Sequence, residues 1–140
     1  MLEIHDYTGE GFRPLVYFGS WRVAVLNYIE ELHPAKIDML ERHPETDEVF
    51  VLTRGQGILF LVDGESQDAI LVPQVMETGK IYNVKPHTWH TIVVSRDASV
   101  LIVENGDTGR DNSEYFSLKP EHRRLILNIA QSEQPGNWGN

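Results

Sequence analysis

The sequence predicts an all-β fold, an antiparallel barrel or sandwich with an extended N-terminal arm and a short C-terminal helix. Three observations predict it. Short runs rich in β-branched and aromatic residues alternate with turn residues every few positions along most of the chain. Glycine, proline, asparagine and aspartate punctuate those runs, as in Gly55-Gln56-Gly57 and Asp63-Gly64. Only near the C-terminus does the apolar spacing change to a helical period.

The elements follow in order. Residues 1–20 hold Gly9, Gly11, Pro14 and Gly19 among aromatics and read as an arm, with Leu15 to Phe18 a short edge strand. Trp21 to Ile29 alternates as a strand. Trp21, Val23, Val25, Asn27 and Ile29 share one face and Arg22, Ala24, Leu26 and Tyr28 the other, so both faces are expected to be covered. After the polar break Glu30 to Pro34, Lys36 to His43 is the next strand, with Ile37, Met39, Glu41 and His43 on one face. Pro44 to Asp47 is a turn and Glu48 to Arg54 a strand. Gly55-Gln56-Gly57 is a tight turn requiring positive φ, after which Ile58 to Val62 returns antiparallel as a hairpin. Asp63-Gly64 is the strongest hairpin dipeptide.

Ala69 to Val72 is a short apolar run halted by Pro73. Lys80 to Val84, Trp89 to Ser95 and Ser99 to Glu104 are further strands, the last two joined by an Arg96-Asp97 turn. In the second of these, His90, Ile92 and Val94 share a face. Asn105 to Ser113 is loop and Tyr115 to Leu118 extended or irregular. Pro120 suits a helix first turn and Glu121 its dipole, and Leu125, Ile126 and Ile129 recur at helical spacing, so a helix is expected over about residues 120–131. Trp138 in the tail is either docked or a partner contact.

Composition excludes several classes. A chain of 140 residues is expected to be one domain, 1–140, with its barrel core over about 21–104. Its hydrophobic content is 41% and its mean hydropathy -0.31, as in a soluble globular protein. No cysteine is present, so disulfides, thiolate zinc sites and cysteine nucleophiles are excluded. A net charge of -9, with His122-Arg123-Arg124 the only basic cluster, argues against a nucleic-acid partner. No apolar run reaches the roughly 20 residues of a membrane span, and Met1 to Glu10 lacks a signal-peptide core; a cytoplasmic location is the default expectation. No nucleophile elbow, phosphate-binding loop, dinucleotide fingerprint or HExxH motif competes for the chemistry.

The candidate site lies in two stretches. Glu41-x-His43-x4-Glu48-x6-Gly55 runs ligand-type side chains into a strand, and Gly79-x6-Pro86-x3-His90 does so again some forty residues on. These resemble the two motifs of the cupin superfamily, HxH-x(3,4)-E-x6-G and G-x5-PxG-x2-H-x3-N, and the chain is similar to small single-domain cupins over roughly residues 37–104. It departs from them in five places, the first being that the upstream glycine of the first motif is missing. Glu41 stands for the first histidine, Pro86 is one residue nearer His90, the inner glycine is replaced by His87 or Thr88, and Val94 stands for asparagine.

The resemblance implies a double-stranded β-helix, or jelly roll, with a metal at one mouth. Carried across, His43 and His90 would be imidazole ligands, Glu48 the carboxylate, and Glu41 a further ligand or a base. Two imidazoles and a carboxylate with open positions suit divalent iron, manganese, nickel or zinc. His87 is expected to be a loop residue. Arg22, Asn27, Tyr28 and Tyr82 are candidate polar groups of the pocket, Tyr28 preferred as catalytic beside Glu41. Arg54 and Lys85 could hold an anionic substrate but more simply face water. The expected function is a metal-dependent enzyme on a small polar molecule, by isomerase, dioxygenase, lyase or decarboxylase chemistry. The alternatives are a ligand-binding or sensor domain and a structural cupin with a decayed site. The resemblance also implies a homodimer, paired through a sheet edge and the aromatic-rich arm Tyr7 to Trp21.

Overall fold

The structure, a computed structural model, describes residues 1–63, 70–134 and Trp138. Among them are strands β1 (Phe12–Phe18), β2 (Trp21–Asn27), β3 (Met39–Arg42), β4 (Glu48–Arg54), β5 (Gly57–Asp63), β6 (Ile70–Val75), β7 (Ile81–Val84), β8 (His90–Val94), β9 (Ser99–Asn105) and β10 (Glu114–Ser117), and the helix α1 (Pro120–Glu133). They form two five-stranded antiparallel sheets, ordered β1-β2-β9-β4-β7 and β10-β3-β8-β5-β6. The two sheets face each other as a jelly roll. The Gly64 half of the predicted Asp63-Gly64 turn lies outside the described residues.

Two cores result. Ala24, Leu26, Phe50 and Ile102 from the first sheet meet Leu59, Ile92 and Val94 from the second inside the barrel. On the outer side of the second sheet, Ile58, Phe60 and Val93 are sealed by Leu118, Ile126, Ala130 and Trp138. Thus β5 is buried on both faces from Gly57 to Phe60 because one face looks into the barrel and the other lies under α1. Trp138 is docked: it is 5% exposed and its Nε1 donates to the Ala130 carbonyl at 2.9 Å.

Several expectations need correction. Ile58 to Val62 does not pair back on β4; β5 lies in the opposite sheet, against β6 and β8. Gly55 does take positive φ, +77°. It makes a corner between sheets, because a Cβ there would sit 2.5 Å from the Ala98 Cα. Gly55→Ala is therefore expected to lose about 2 kcal/mol or more of stability in denaturant titration, from left-handed strain and overlap with backbone. A loss under about 0.5 kcal/mol would contradict this account of the corner.

Pro73 does not halt its strand, since β6 is a sheet edge, where a missing donor is tolerated. The predicted strand from Lys36 begins only at Met39, and Ile37, just ahead of it, packs into the core under the helix. The edge strand β1 starts at Phe12, earlier than Leu15. Asn27 belongs to neither apolar face; its Nδ2 donates to the Tyr7 and Gly9 carbonyls and pins the arm. Among the described residues no helix is long and apolar enough to cross a membrane.

Candidate metal centre

One end of the barrel is lined by polar side chains that sequence parity places inward. In β2 and β9, Arg22 and Glu104 are cross-strand partners. In β4 and β9, Val49 opposes Val103, which sets Glu48 beside Glu104. From the opposite sheet, Glu41 of β3 is paired with His90 of β8. His43 follows β3 directly, and its carbonyl accepts from the His87 backbone N–H at 3.2 Å. Two neighbouring polar strips therefore face each other across the barrel mouth.

These strips bring Glu41, His43, Glu48 and His90 together, with one ligand-type atom of each within 4.8 Å of the others. Glu48 Oε1 lies 3.1 Å from His43 Nε2 and 3.0 Å from His90 Nε2. Glu41 Oε1 stands further off, 3.7 Å from His43 Nε2 and 3.9 Å from His90 Nε2. His43, Glu48 and His90 are buried, whereas the Glu41 side chain is 41% exposed.

Each ring is held from behind. His90 Nδ1 is 2.9 Å from the Thr88 carbonyl, which can only accept, so Nδ1 carries the hydrogen and Nε2 turns to the cluster. His43 Nδ1 is 2.8 Å from Ser113 Oγ. The Phe50 ring meets His90 edge-on at 5.9 Å.

The donor set fits a divalent ion. A metal bonded at about 2.1 Å places neighbouring ligand atoms about 3 Å apart, as the two Glu48–imidazole distances are. Without an ion, the carboxylates act on the rings. Burial lowers the affinity of His43 for a proton, but Glu41 and Glu48 outweigh it and raise the group to about 10. Burial opposes the charge of His90 likewise, and Glu48 overcomes it, so this ring too is raised. Burial alone would lift Glu48, yet the two imidazoles hold it below the usual carboxylate range.

Next to this cluster, Arg22 Nη2 donates to Glu104 Oε1 at 2.6 Å, both side chains nearly inaccessible. Burial and the neighbouring Glu48 push Glu104 up to about 7 although Arg22 pulls the other way. Together these groups form the floor of a cavity of about 470 Å³ with apolar walls that include Leu26, Phe50, Ile92 and Ile102.

Of the other candidates, only Arg22 reaches the cavity. Tyr28 lies beyond the far end of β2, with the Arg96 guanidinium 5.1 Å over its ring, so the preference for Tyr28 as catalytic gives way to Arg22 as the polar neighbour of the cluster. The Tyr82 hydroxyl accepts from the Glu77 N–H. His87 is exposed, with φ of 65°. Arg54 donates to the Asp97 carbonyl and Lys85 pairs with Asp47, both on the surface. Glu104, Ser113 and Tyr115 are cavity residues that sequence reasoning missed. Strand parity with Val100 and Ile102 would have pointed Glu104 inward; Ser113 lies in a loop and carries no such signal.

No family model matches the chain. It is 26% identical over 105 residues to a ureidoglycolate lyase of Pseudomonas syringae pv. tomato, covering 71% of this chain. It is 28% identical over 91 residues to a ureidoglycolate lyase of a Chelativorans species, covering 62% of this chain. The match spans 61% and 55% of the length of those two relatives. Among solved structures, a cupin-2 domain protein of Shewanella frigidimarina superposes with a TM-score of 0.52 at 14% identity, over 71% of this chain and 84% of its own. The Streptomyces nucleoside dehydratase Pac13 superposes with a TM-score of 0.51 at 12% identity, over 83% of this chain and 87% of its own. Both likenesses concern the fold.

Proposed function

We propose that this chain, a small cupin by its fold, binds a divalent metal through His43, Glu48 and His90 and performs lyase-type chemistry on a small polar molecule. The convergence of two buried imidazoles on one buried carboxylate at the barrel mouth carries the reading. A bound ion would polarise substrate oxygens as a Lewis acid. Thr88 and Ser113 fix the two rings from behind. Glu41 stands on the exposed side of the cluster and is assigned the proton transfer, because it is the carboxylate that a bound molecule can reach. Apolar side chains including Phe50 and Ile92 wall the buried side of the cluster. The choice of lyase chemistry draws on the ureidoglycolate lyases named above.

The test is to supply ureidoglycolate and a panel of hydroxy acids to metal-replete protein and follow them by NMR. Consumption without added oxidant is expected, and Glu41→Gln should keep the metal while turnover falls by about a hundredfold or more. Full activity in Glu41→Gln would remove its assigned role. Metal-loaded protein that binds but never converts these compounds would favour a sensor. Because His43 and His90 are both raised above their ordinary value, loading an ion must expel protons. Metal affinity is thus expected to weaken as pH falls; calorimetry showing no proton release on binding would contradict it.

We also propose a homodimer. The outer face of the first sheet pairs Val23 with Val103, Val25 with Leu101, Val49 with Val103 and Val51 with Leu101, all half-buried and none charged. Copies of a chain carrying -9 repel wherever charge faces charge, so an uncharged face is the one suited to isologous pairing. Light scattering should give twice the chain mass, and Val49→Glu with Leu101→Glu should give the monomer.

A further inference from the structure

We propose that the cavity selects non-phosphorylated hydroxy acids with a single carboxylate that carry a flat or apolar substituent beside the oxygens held at the cluster. This rests on the metal-binding reading above and specifies its ligand.

The first observation is the mouth. Phe12, Met39 and Tyr115 come from three different strands, are 43%, 42% and 44% exposed, and all line the same cavity. Large apolar side chains left open together at a cavity rim mark a place where something apolar docks. Their register makes the placement specific. Tyr115 is the cross-strand partner of Glu41, and Ser117 that of Met39, so Tyr115 and Met39 flank Glu41 on one face. Phe12 closes from the other sheet, backed by the Arg22 guanidinium 5.2 Å from its ring centroid. Tyr115 and Phe12 thus both border the cavity into which Glu41 opens.

The second observation is charge. Glu31, Asp38, Glu41, Glu48 and Glu104 line the cavity against two arginines, Arg22 and Arg110. A divalent ion leaves no surplus of positive charge, so a phosphate ester or a dicarboxylate meets repulsion that a single carboxylate, chelated directly, escapes. Arg22 is already committed to Glu104 and the Gly106 carbonyl.

The experiment is isothermal calorimetry on metal-replete protein with glycolate, mandelate and tartrate, beside elemental analysis of the same sample. These share the hydroxy-acid head and differ in having no substituent, a phenyl ring and a second carboxylate. Mandelate is expected to bind about tenfold more tightly than glycolate, from partial burial of its ring, with tartrate no tighter than glycolate. Tyr115→Ala should bring mandelate down to the glycolate value while metal content stays the same. Mandelate binding no tighter than glycolate, tartrate binding tightest, or a mandelate preference that survives Tyr115→Ala would each overturn the proposal in a protein shown to hold metal. Absence of metal from the protein would instead overturn the parent reading, and this one with it.

Discussion

Alanine at both His43 and His90 is expected to reduce bound divalent metal from a single equivalent per chain to background, measured by elemental analysis of protein purified without a histidine tag. The two rings supply the only nitrogen donors of the cluster. Without them the ion would depend on Glu41 and Glu48, and Glu41 stands well back from the other donors. Carboxylates without imidazole hold transition metals weakly against chelators, so dialysis should complete the loss. The same substitution has a second consequence. Glu48, 5% exposed, loses both partners that keep it ionised. A buried carboxylate stripped of its partners costs about 3–5 kcal/mol unless it takes up a proton, so the variant is expected to be less stable than the parent. Circular dichroism shows whether the variant is folded, and Glu48→Gln, itself a ligand substitution, is read as a separate variant. A folded variant that retains full metal content would show that the ion sits elsewhere and would sink the ligand set. Adding EDTA to the unmutated protein should lower its melting temperature and leave the variant's unchanged, because only the former has binding energy to lose.

How much of this centre could be read from the chain depends on how each residue is specified. Glu41 and His43 are two apart on a strand, and Glu48 follows a turn, so local spacing alone groups them. His90 required the second motif and its strand parity, and the structure shows that parity in the buried set His90, Ile92 and Val94. Arg22 and Glu104 are 82 residues apart and meet only because β2 pairs with β9. No local pattern encodes that pairing. Tyr28 shared the predicted face of Arg22, but sharing a face does not say which end of the barrel a residue reaches. The Gly55 corner failed for a related reason: glycine specifies the positive φ, while the partner of the next strand is decided by where the apolar faces of β5 can be buried. Pro73 marks a strand edge as readily as a strand end, and only the position of β6 in its sheet distinguishes the two.

Removing the guanidinium of Arg22 is the second substitution with a large expected effect, and its sign can be tested through pH. Arg22→Met keeps the volume of the side chain and deletes the charge that faces Glu104. In metal-free protein the loss of stability at pH 7 is expected to be about 2–3 kcal/mol, read from denaturant titration. That is below the usual cost of breaking a buried pair, because Glu104 is already raised to about 7 and escapes part of the penalty by taking a proton. An acid whose folded pKa lies above its unfolded value makes the protein lose stability as pH rises from the unfolded pKa to the folded one. For the parent protein that decline ends near pH 7. Arg22 pulls the Glu104 pKa down, so without it the decline must continue to higher pH. The gap between parent and Arg22→Met should consequently be smallest at about pH 5 and widest above about pH 8. A constant gap across that range would mean that Arg22 acts by packing against Phe12 and not through Glu104. Adding Glu104→Leu removes the stranded carboxyl, and the double variant is expected to recover most of the lost stability and its pH dependence, since an apolar pair replaces an ion pair without leaving a charge behind.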